Sequence, residues 1–539
     1  MARRPPHSGE RGTGLPRTHA ESSGEASLQQ AAQGGADGAL ALAHQRSRNT
    51  GIHLRPLTRP AGGGRESARS CRLVALFCCL IENDSSIAKA ITTLRRHAES
   101  RRFGEPMPSS RAVMAELGVG PVTVRRAVAR LVAEGLLTTR PGVGTFVSRP
   151  TSRPSADTAW QQVTLGASPV DTAGLDLMVR LSETDALQLA SGRTEPAIRP
   201  DGRIAAAMAR AARRPNVWAA PPQEGLPELR AWFASETGVD QDDVFISPGG
   251  QGAMSSTMRA LLPSASPVLF AVPTYPGALA VARSAGLIPV PVPTDSDGVR
   301  PDLLARAFAT TSAKLLYLQP TFANPDGGVL AQHRRQEVLD TASAAGAFIL
   351  EDDWARWLSH HPPAPPPLIR DDVDGHVVTV SSLTKPAAAS LRVGAIMARG
   401  PVLQRIAAMR LVDDFYVCRP LQEAAIDLVT SAGWQAHLRS LSATLRHRAG
   451  VLAAAVATHM PACTFQVPAG GMCMWLRLPR HTQEDAVVDL ALASGVAVTP
   501  GRLFVIGEPE HPHLRLSFAA IDAHEIDEAV RRLAEAVGG

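Results

Sequence analysis

Lysine is nearly missing from this chain of 539 residues: of its 55 basic residues only Lys89, Lys314 and Lys385 are lysines. Any chemistry that needs a lysine amine is therefore confined to three positions. Cysteine is sparse as well. The six cysteines (Cys71, Cys78, Cys79, Cys418, Cys463 and Cys473) show neither a paired framework nor metal-ligand spacing, which excludes a disulfide scaffold and a zinc module and agrees with a reducing compartment. No apolar run approaches the roughly 18 residues of a membrane span; the nearest, Leu73 to Ile81, is too short. Arg3 and Arg4 are not followed by the apolar segment and small-residue cleavage site of a secretory signal, so the expected compartment is the cytoplasm, without a membrane partner.

What is present is unevenly distributed. Residues 1–150 carry 22 basic against 11 acidic side chains, whereas the remaining 389 carry 33 against 39. A basic front on an acidic body suggests a nucleic-acid partner for the front. Residues 1–82 are rich in Gly, Ser, Arg, Ala and Pro without apolar periodicity. They read as a disordered basic extension, structured sequence beginning near Asn83.

From residue 83 to 148 the pattern is that of a small α+β domain. Ile87, Ile91 and Leu94 share a helix face, a second helix follows the capping serines after Pro108, and a third opens with Pro121. The third buries Val124, Ala127 or Val128, and Leu131 while exposing Arg125, Arg126 and Arg130. Two short strands around Arg140-Pro141-Gly142 complete a winged helix-turn-helix. The segments Pro-Ser-x-Arg, Leu-Gly-Val, Thr-Val-Arg, Glu-Gly-Leu and Gly-x-Gly-Thr-Phe-Val within residues 108–147 resemble the GntR family of bacterial repressors. The resemblance implies duplex-DNA binding by Arg111 and Arg125, with Thr123 nearby and the wing tip, Gly142 to Thr145 with Gly144, against the backbone or minor groove. Arginines at the start of a recognition helix fork readily onto guanine or phosphate. Gly120-Pro121 stands where the family often has Ser-Arg, removing a capping hydroxyl.

Residues 149–180 begin with a run of Pro, Ser, Thr and Arg and read as a linker. From 181 to 539 helical and apolar strand-like segments alternate, which predicts an α/β domain. Lys385 follows a strand, Val377-Val378-Thr379-Val380, at a small-residue turn seven residues before Arg392. Its amine is thus the one placed to project into a site, as a Schiff-base lysine must. Ser247-Pro248-Gly249-Gly250-Gln251 fits a strand, a glycine turn and a helix start, whose amides cradle phosphates.

Taken in order, Gly225-Leu226-Pro227, that glycine turn, Pro273-Thr274-Tyr275-Pro276-Gly277, Asn324-Pro325-Asp326-Gly327, Glu351-Asp352-Asp353, Ser382-Leu383-Thr384-Lys385 and Leu514-Arg515-Leu516-Ser517 resemble the fold-type I aminotransferases. With the winged helix, the architecture resembles the MocR subfamily of GntR regulators. The resemblance implies pyridoxal 5'-phosphate bound on Lys385. It further implies Tyr275 stacked on the pyridine, Asn324 donating to the phenolic oxygen and Asp352 facing the pyridine nitrogen. Gly250, Gln251, Ser382, Thr384 and Arg392 would surround the phosphate, and Arg515 would hold a carboxylate of an amine or amino-acid effector. It also implies a homodimer. In two places the chain departs from the pattern: Trp354 replaces a tyrosine after the Asp pair, and Ala220 replaces a tyrosine five residues before Gly225. The leading reading is a DNA-binding transcription regulator that senses its effector by aldimine exchange. A working aminotransferase with an attached DNA-binding domain and a cofactor-free dimerisation scaffold are the alternatives.

Overall fold

The computed structural model describes residues 86–148, 157–166, 168 and 170–538. The expected disordered extension at 1–82 and the first part of the expected linker lie outside them. The chain divides into two compact units, with the boundary between Thr158 and Ala159.

In the first unit, α1 (86–99) buries Ala90, Leu94 and Ala98, while Ile87 and Ile91 remain half-covered. α2 (Ser110–Leu117) is capped by the Ser109 hydroxyl, which accepts the Ala112 amide at 3.2 Å, and ends at Gly118 in the left-handed region. α3 (Pro121–Ala133) opens on Gly120 and Pro121 without a side-chain cap. Its buried stripe is Thr123, Val124, Ala127 and Leu131, so Ala127 rather than Val128 takes the core position. The wing pairs β1 (Leu137–Arg140) with β2 (Gly144–Val147) in antiparallel register, Leu137 opposite Val147. Gly142 at the turn has φ of +74°, a conformation that favours glycine.

The second unit begins inside the stretch read as linker. α4 (Ala159–Leu165) and α5 (Ala173–Ser182) are helices there; α5 forms because after the polar run the sequence supplies Leu175, Leu177, Met178, Val179 and Leu181, too many apolar residues for a solvated connector. β3 (Leu187–Gln188), α6 (Asp201–Ala211) and α7 (Pro227–Thr237) lead into the main sheet. Its strands are β4 (Val244–Ser247), β5 (Pro267–Val272), β6 (Ile288–Asp295), β7 (Gly298–Val299), β8 (Leu315–Leu318), β9 (Phe348–Asp352), β10 (Val377–Ser382) and β11 (Gly394–Ala398). They lie in the order β4-β11-β10-β9-β8-β5-β6-β7. The run from β10 through β6 is parallel, and β11 is antiparallel to both its neighbours. Every residue of β8, β10 and β11 is buried, as expected of a sheet covered on both faces. Proline occupies alternate positions of β6, Pro289, Pro291 and Pro293, so the missing N–H groups all fall on one side while the intervening residues keep pairing with β5.

The principal helices on this framework are α8 (Gly250–Leu261), α9 (Pro276–Ser284), α10 (Pro301–Thr311), α11 (Gln332–Ala344), α12 (Pro401–Asp413) and α13 (Arg419–Val429). A smaller C-terminal layer follows the long α14 (Ala432–His459). It carries the antiparallel strands β12 (Thr464–Phe465), β13 (Cys473–Arg477), β15 (His513–Ser517) and β14 (Thr499–Pro500), in that order. Separate apolar cores lie on the two faces of the main sheet and under the C-terminal layer.

Candidate functional site

The C-terminal ends of the parallel strands open on a cavity of about 490 Å³, where open α/β sheets place their ligands. The three lysines separate cleanly. Lys89 is exposed on α1, and Lys314 precedes β8 and donates from Nζ to the Ala345 carbonyl at 2.6 Å. Lys385 alone lines the cavity. β10 runs on to Ser382, so Ser381 and Ser382 belong to the strand rather than the turn, and Lys385 sits just beyond its end. Its Nζ donates to the Gly192 carbonyl at 2.7 Å. Burial, helped by the nearby charge of Arg515, lowers its pKa to about 8.

Asp352 ends β9 and is buried. One carboxylate oxygen, Oδ2, accepts from the Tyr317 hydroxyl at 2.6 Å and the Gln319 amide at 2.7 Å, leaving Oδ1 for a donor in the cavity. Burial is the main cause of its pKa rising to about 6, and the two donors hold it back; the group is ionised at neutral pH. Tyr317 and Gln319 were not singled out by sequence, though as i, i+2 positions at the end of β8 they share a face.

Across the cavity, Gly249 turns with φ of +87° into the start of α8, where the first amides have no helical partner. A β-carbon on Gly249 would lie 2.7 Å from Nη2 of Arg392. The Arg392 guanidinium therefore packs against bare backbone and donates to the Pro248 carbonyl at 2.7 Å. Arg392 is itself left-handed, φ +52°, a conformation that costs a non-glycine residue on the order of 1 kcal/mol or more. Gly250, Gln251, Ser382 and Thr384 line the same end, and the buried Thr384 hydroxyl has no hydrogen-bond partner among the described residues. An unpaired hydroxyl, a guanidinium and a helix N-terminus form a donor set that fits a phosphate dianion.

Tyr275 lines the cavity and donates to the Gln251 side chain at 3.4 Å. Asn324 is present too; its backbone N–H donates to Gln319 at 2.9 Å and its Oδ1 faces the Cys473 thiol at 3.8 Å. Arg515, 3% exposed, donates to the Ala190 carbonyl and to the Thr499 hydroxyl at 3.1 Å. The Phe504 ring lies 5.3 Å from its guanidinium carbon, and its buried Nε has no acceptor among the described residues. Gly192 brings Lys385 and Arg515 together, since a β-carbon there would meet Nζ at 3.8 Å and Nη1 at 3.9 Å. All the residues expected to hold cofactor or effector thus gather around one cavity. Trp354 also lines it, with a buried indole N–H that has no partner among the described residues, whereas Ala220 is exposed on a loop and is not part of the lining.

On the winged helix, Arg111, Arg125, Gly142 and Gly144 are exposed. Arg95, Arg96 and Arg130 are occupied by Glu134 and Glu116, whereas Arg111, Arg125 and Arg126 form no ion pair among the described residues. Thr123 differs from expectation: it is 8% exposed and lies on the core side of α3, because its position one before Val124 falls within the buried arc of the helix.

Fold and cavity together define a class, a DNA-binding winged helix joined to a pyridoxal-phosphate-type α/β domain. The chain belongs to the aminotransferase class I and II family, whose model matches residues 184–533, and residues 89–147 match the gntR family of bacterial regulatory proteins. A relative from Bacillus subtilis, the uncharacterized HTH-type transcriptional regulator YdfD, is 26% identical over 444 residues, covering 80% of this chain and 91% of that protein. The 2-aminoadipate transaminase of Thermus thermophilus is 29% identical over 381 residues, covering 69% and 96%. The crystal structure of an α-aminoadipate aminotransferase from the same species, complexed with N-(5'-phosphopyridoxyl)-L-leucine, superposes with a TM-score of 0.65 at 27% identity, over 71% of this chain and 98% of that one. The protein is a GntR-type regulator fused to an aminotransferase-like domain, an architecture consistent with the MocR subfamily, and its family implies pyridoxal phosphate as cofactor. No helix among the described residues is long and apolar enough to cross a membrane.

Proposed function

We propose that the large unit holds pyridoxal phosphate at Lys385 and senses a small amine or amino acid there, the winged helix converting occupancy into a change in DNA affinity. The observation that carries this reading is the meeting of Lys385, Asp352 and Arg515 around one cavity in a chain that also has a winged helix whose Arg111 and Arg125 form no ion pair among the described residues. Gly250, Gln251, Ser382, Thr384 and Arg392 would bind the phosphate, Tyr275 would cover the ring face, Asn324 would donate to the phenolic oxygen, and Asp352 would keep the pyridine nitrogen protonated. When bound, the cofactor supplies an aldehyde carbon that condenses with amines and an electron-poor ring. Lys385 is the amine that an effector displaces. Its lowered pKa keeps about one molecule in ten uncharged at pH 7, against roughly one in three thousand for an ordinary lysine. Arg515 would anchor the effector's carboxylate, its guanidinium keeping an N–H, at Nε, without an acceptor among the described residues. A ligand shifts a conformational balance only through contacts that differ between states, and here those are the freed Lys385 and the newly paired Arg515.

The DNA partner is duplex, met by Arg111, Arg125 and the Gly142–Gly144 wing. The assembly is a homodimer, supported by exposed apolar side chains at Trp218, Val412 and Phe415 on the large unit. The deciding experiment titrates operator affinity against amines that change the absorption of the cofactor-loaded protein; an affinity that stays constant at saturation overturns the sensing role. One observation favours transaminase turnover as a second reading: a freed lysine with a pKa near 8 is a competent base at neutral pH. Keto-acid release on mixing with an amino acid would report it.

A further inference from the structure

α5 is apolar on two faces. Leu177 and Leu181, four residues apart, pack on the core under the C-terminal layer. Leu175, Met178, Val179 and Ser182, at i, i+3, i+4 and i+7, form a second stripe, and all four line the cavity. The charges of α5 fall outside that stripe, Asp176 being tied to the Thr172 hydroxyl at 2.8 Å. Val179 is 46% exposed, an arrangement that leaves apolar surface facing cavity water unless something covers it. The stripe also adjoins the carboxylate anchor. Gly174 meets Leu503 so closely that a β-carbon would lie 3.0 Å from its Cδ2, and the next residue, Phe504, lies against the Arg515 guanidinium.

The cavity's charges narrow what can cover this stripe. Asp352 is the only carboxylate on the lining among the described residues, and both its donors and the pyridine nitrogen claim it, so no acid among those residues is left for a cationic side chain. Arg515 accounts for one carboxylate. Arg193, a further guanidinium on the lining, is exposed, where an ion pair gains little.

Resting on the sensing role proposed above, we infer that the ligand of this site is an α-amino acid with one carboxylate and a sizeable uncharged apolar side chain of the leucine, methionine or phenylalanine type. Its carboxylate lies on Arg515 and its side chain along Leu175, Met178 and Val179. α5 is the specificity element.

The test uses full-length cofactor-loaded protein and reads the change in cofactor absorption with L-leucine, L-methionine and L-phenylalanine beside L-alanine, L-glutamate, L-lysine and β-alanine. Half-saturation for the large apolar amino acids is expected at least about tenfold below that for alanine, glutamate or lysine, since each methylene fitted to an apolar wall gives roughly ten-fold or greater discrimination. In Met178→Gln the leucine-to-alanine preference should collapse toward one while the lysine-bound absorbance survives. A second variant, Val179→Asn, should act in the same direction should Met178→Gln lose its cofactor. Glutamate binding as tightly as leucine would assign Arg193 a second carboxylate and overturn this inference while leaving sensing intact, as would a preference for lysine or β-alanine. Absence of any spectral response in a Lys385-loaded protein would instead remove the sensing role itself, and this inference with it.

Discussion

Lys385 gives the most quantitative expectation. A shift from 10.5 to about 8 favours the neutral amine by about 3 kcal/mol, at 1.36 kcal/mol per pKa unit. Its largest cause is burial and the next is the charge of Arg515. Asp352, pushed to about 6, is already ionised as Lys385 titrates, and Cys473, pushed up to about 11 by burial, is still a neutral thiol. Neither blurs the transition near 8. Apoprotein mixed with pyridoxal, which lacks a phosphate and so leaves the phosphate cradle out of the measurement, should gain the yellow absorbance of the lysine-bound ring at a rate that rises with pH and levels off above a midpoint near 8. The same absorbance should be missing from Lys385→Ala. In Arg515→Met the midpoint should move upward but stay below 10.5, because burial remains. A wild-type rate still climbing tenfold per pH unit through pH 10 would refute the depressed pKa, and a midpoint unmoved in Arg515→Met would show that the two cations do not interact.

Three further outcomes are expected. The Arg111→Ala/Arg125→Ala double variant should weaken operator binding by about 1–3 kcal/mol for each arginine that reads a base, or flatten the salt dependence for each that meets a phosphate; gel-shift titration at two salt concentrations separates these, and undiminished affinity would displace the interface. Arg515→Leu should keep the cofactor absorbance and basal DNA binding but lose the response of DNA affinity to amino acids, measured by the same titration in their presence. Glu351 is buried beside Asp353, and its pKa is pushed up to about 7, by burial first. Because the folded state holds this proton above the unfolded pKa of about 4.5, Glu351 costs stability progressively as pH rises from about 4.5 to 7. Glu351→Gln should therefore gain stability relative to wild type across that window in denaturant unfolding; a difference that does not vary with pH would mean that Glu351 is ionised throughout.

Much was legible in the sequence because it was local. The capping serine before α2, Pro121 at the start of α3, the glycine turn before α8 and the scarcity of lysine each act within a few residues, and the α/β alternation follows from apolar spacing alone. Family motifs in their order pointed to Lys385, Asp352 and Arg515. What the tertiary structure alone decided depends on residues far apart in the chain. Tyr317 and Gln319 fix one oxygen of Asp352 from a neighbouring strand. Gly192 brings Lys385 and Arg515 together from segments separated by more than a hundred residues. Thr123 turns inward because α3 rotates to bury Val124 and Leu131. α5, read as linker from the polar run ahead of it, becomes a cavity wall because its second apolar face comes to line the cavity at the strand ends only once the chain has folded. Periodicity states that a face is apolar; only the packed chain states what that face meets.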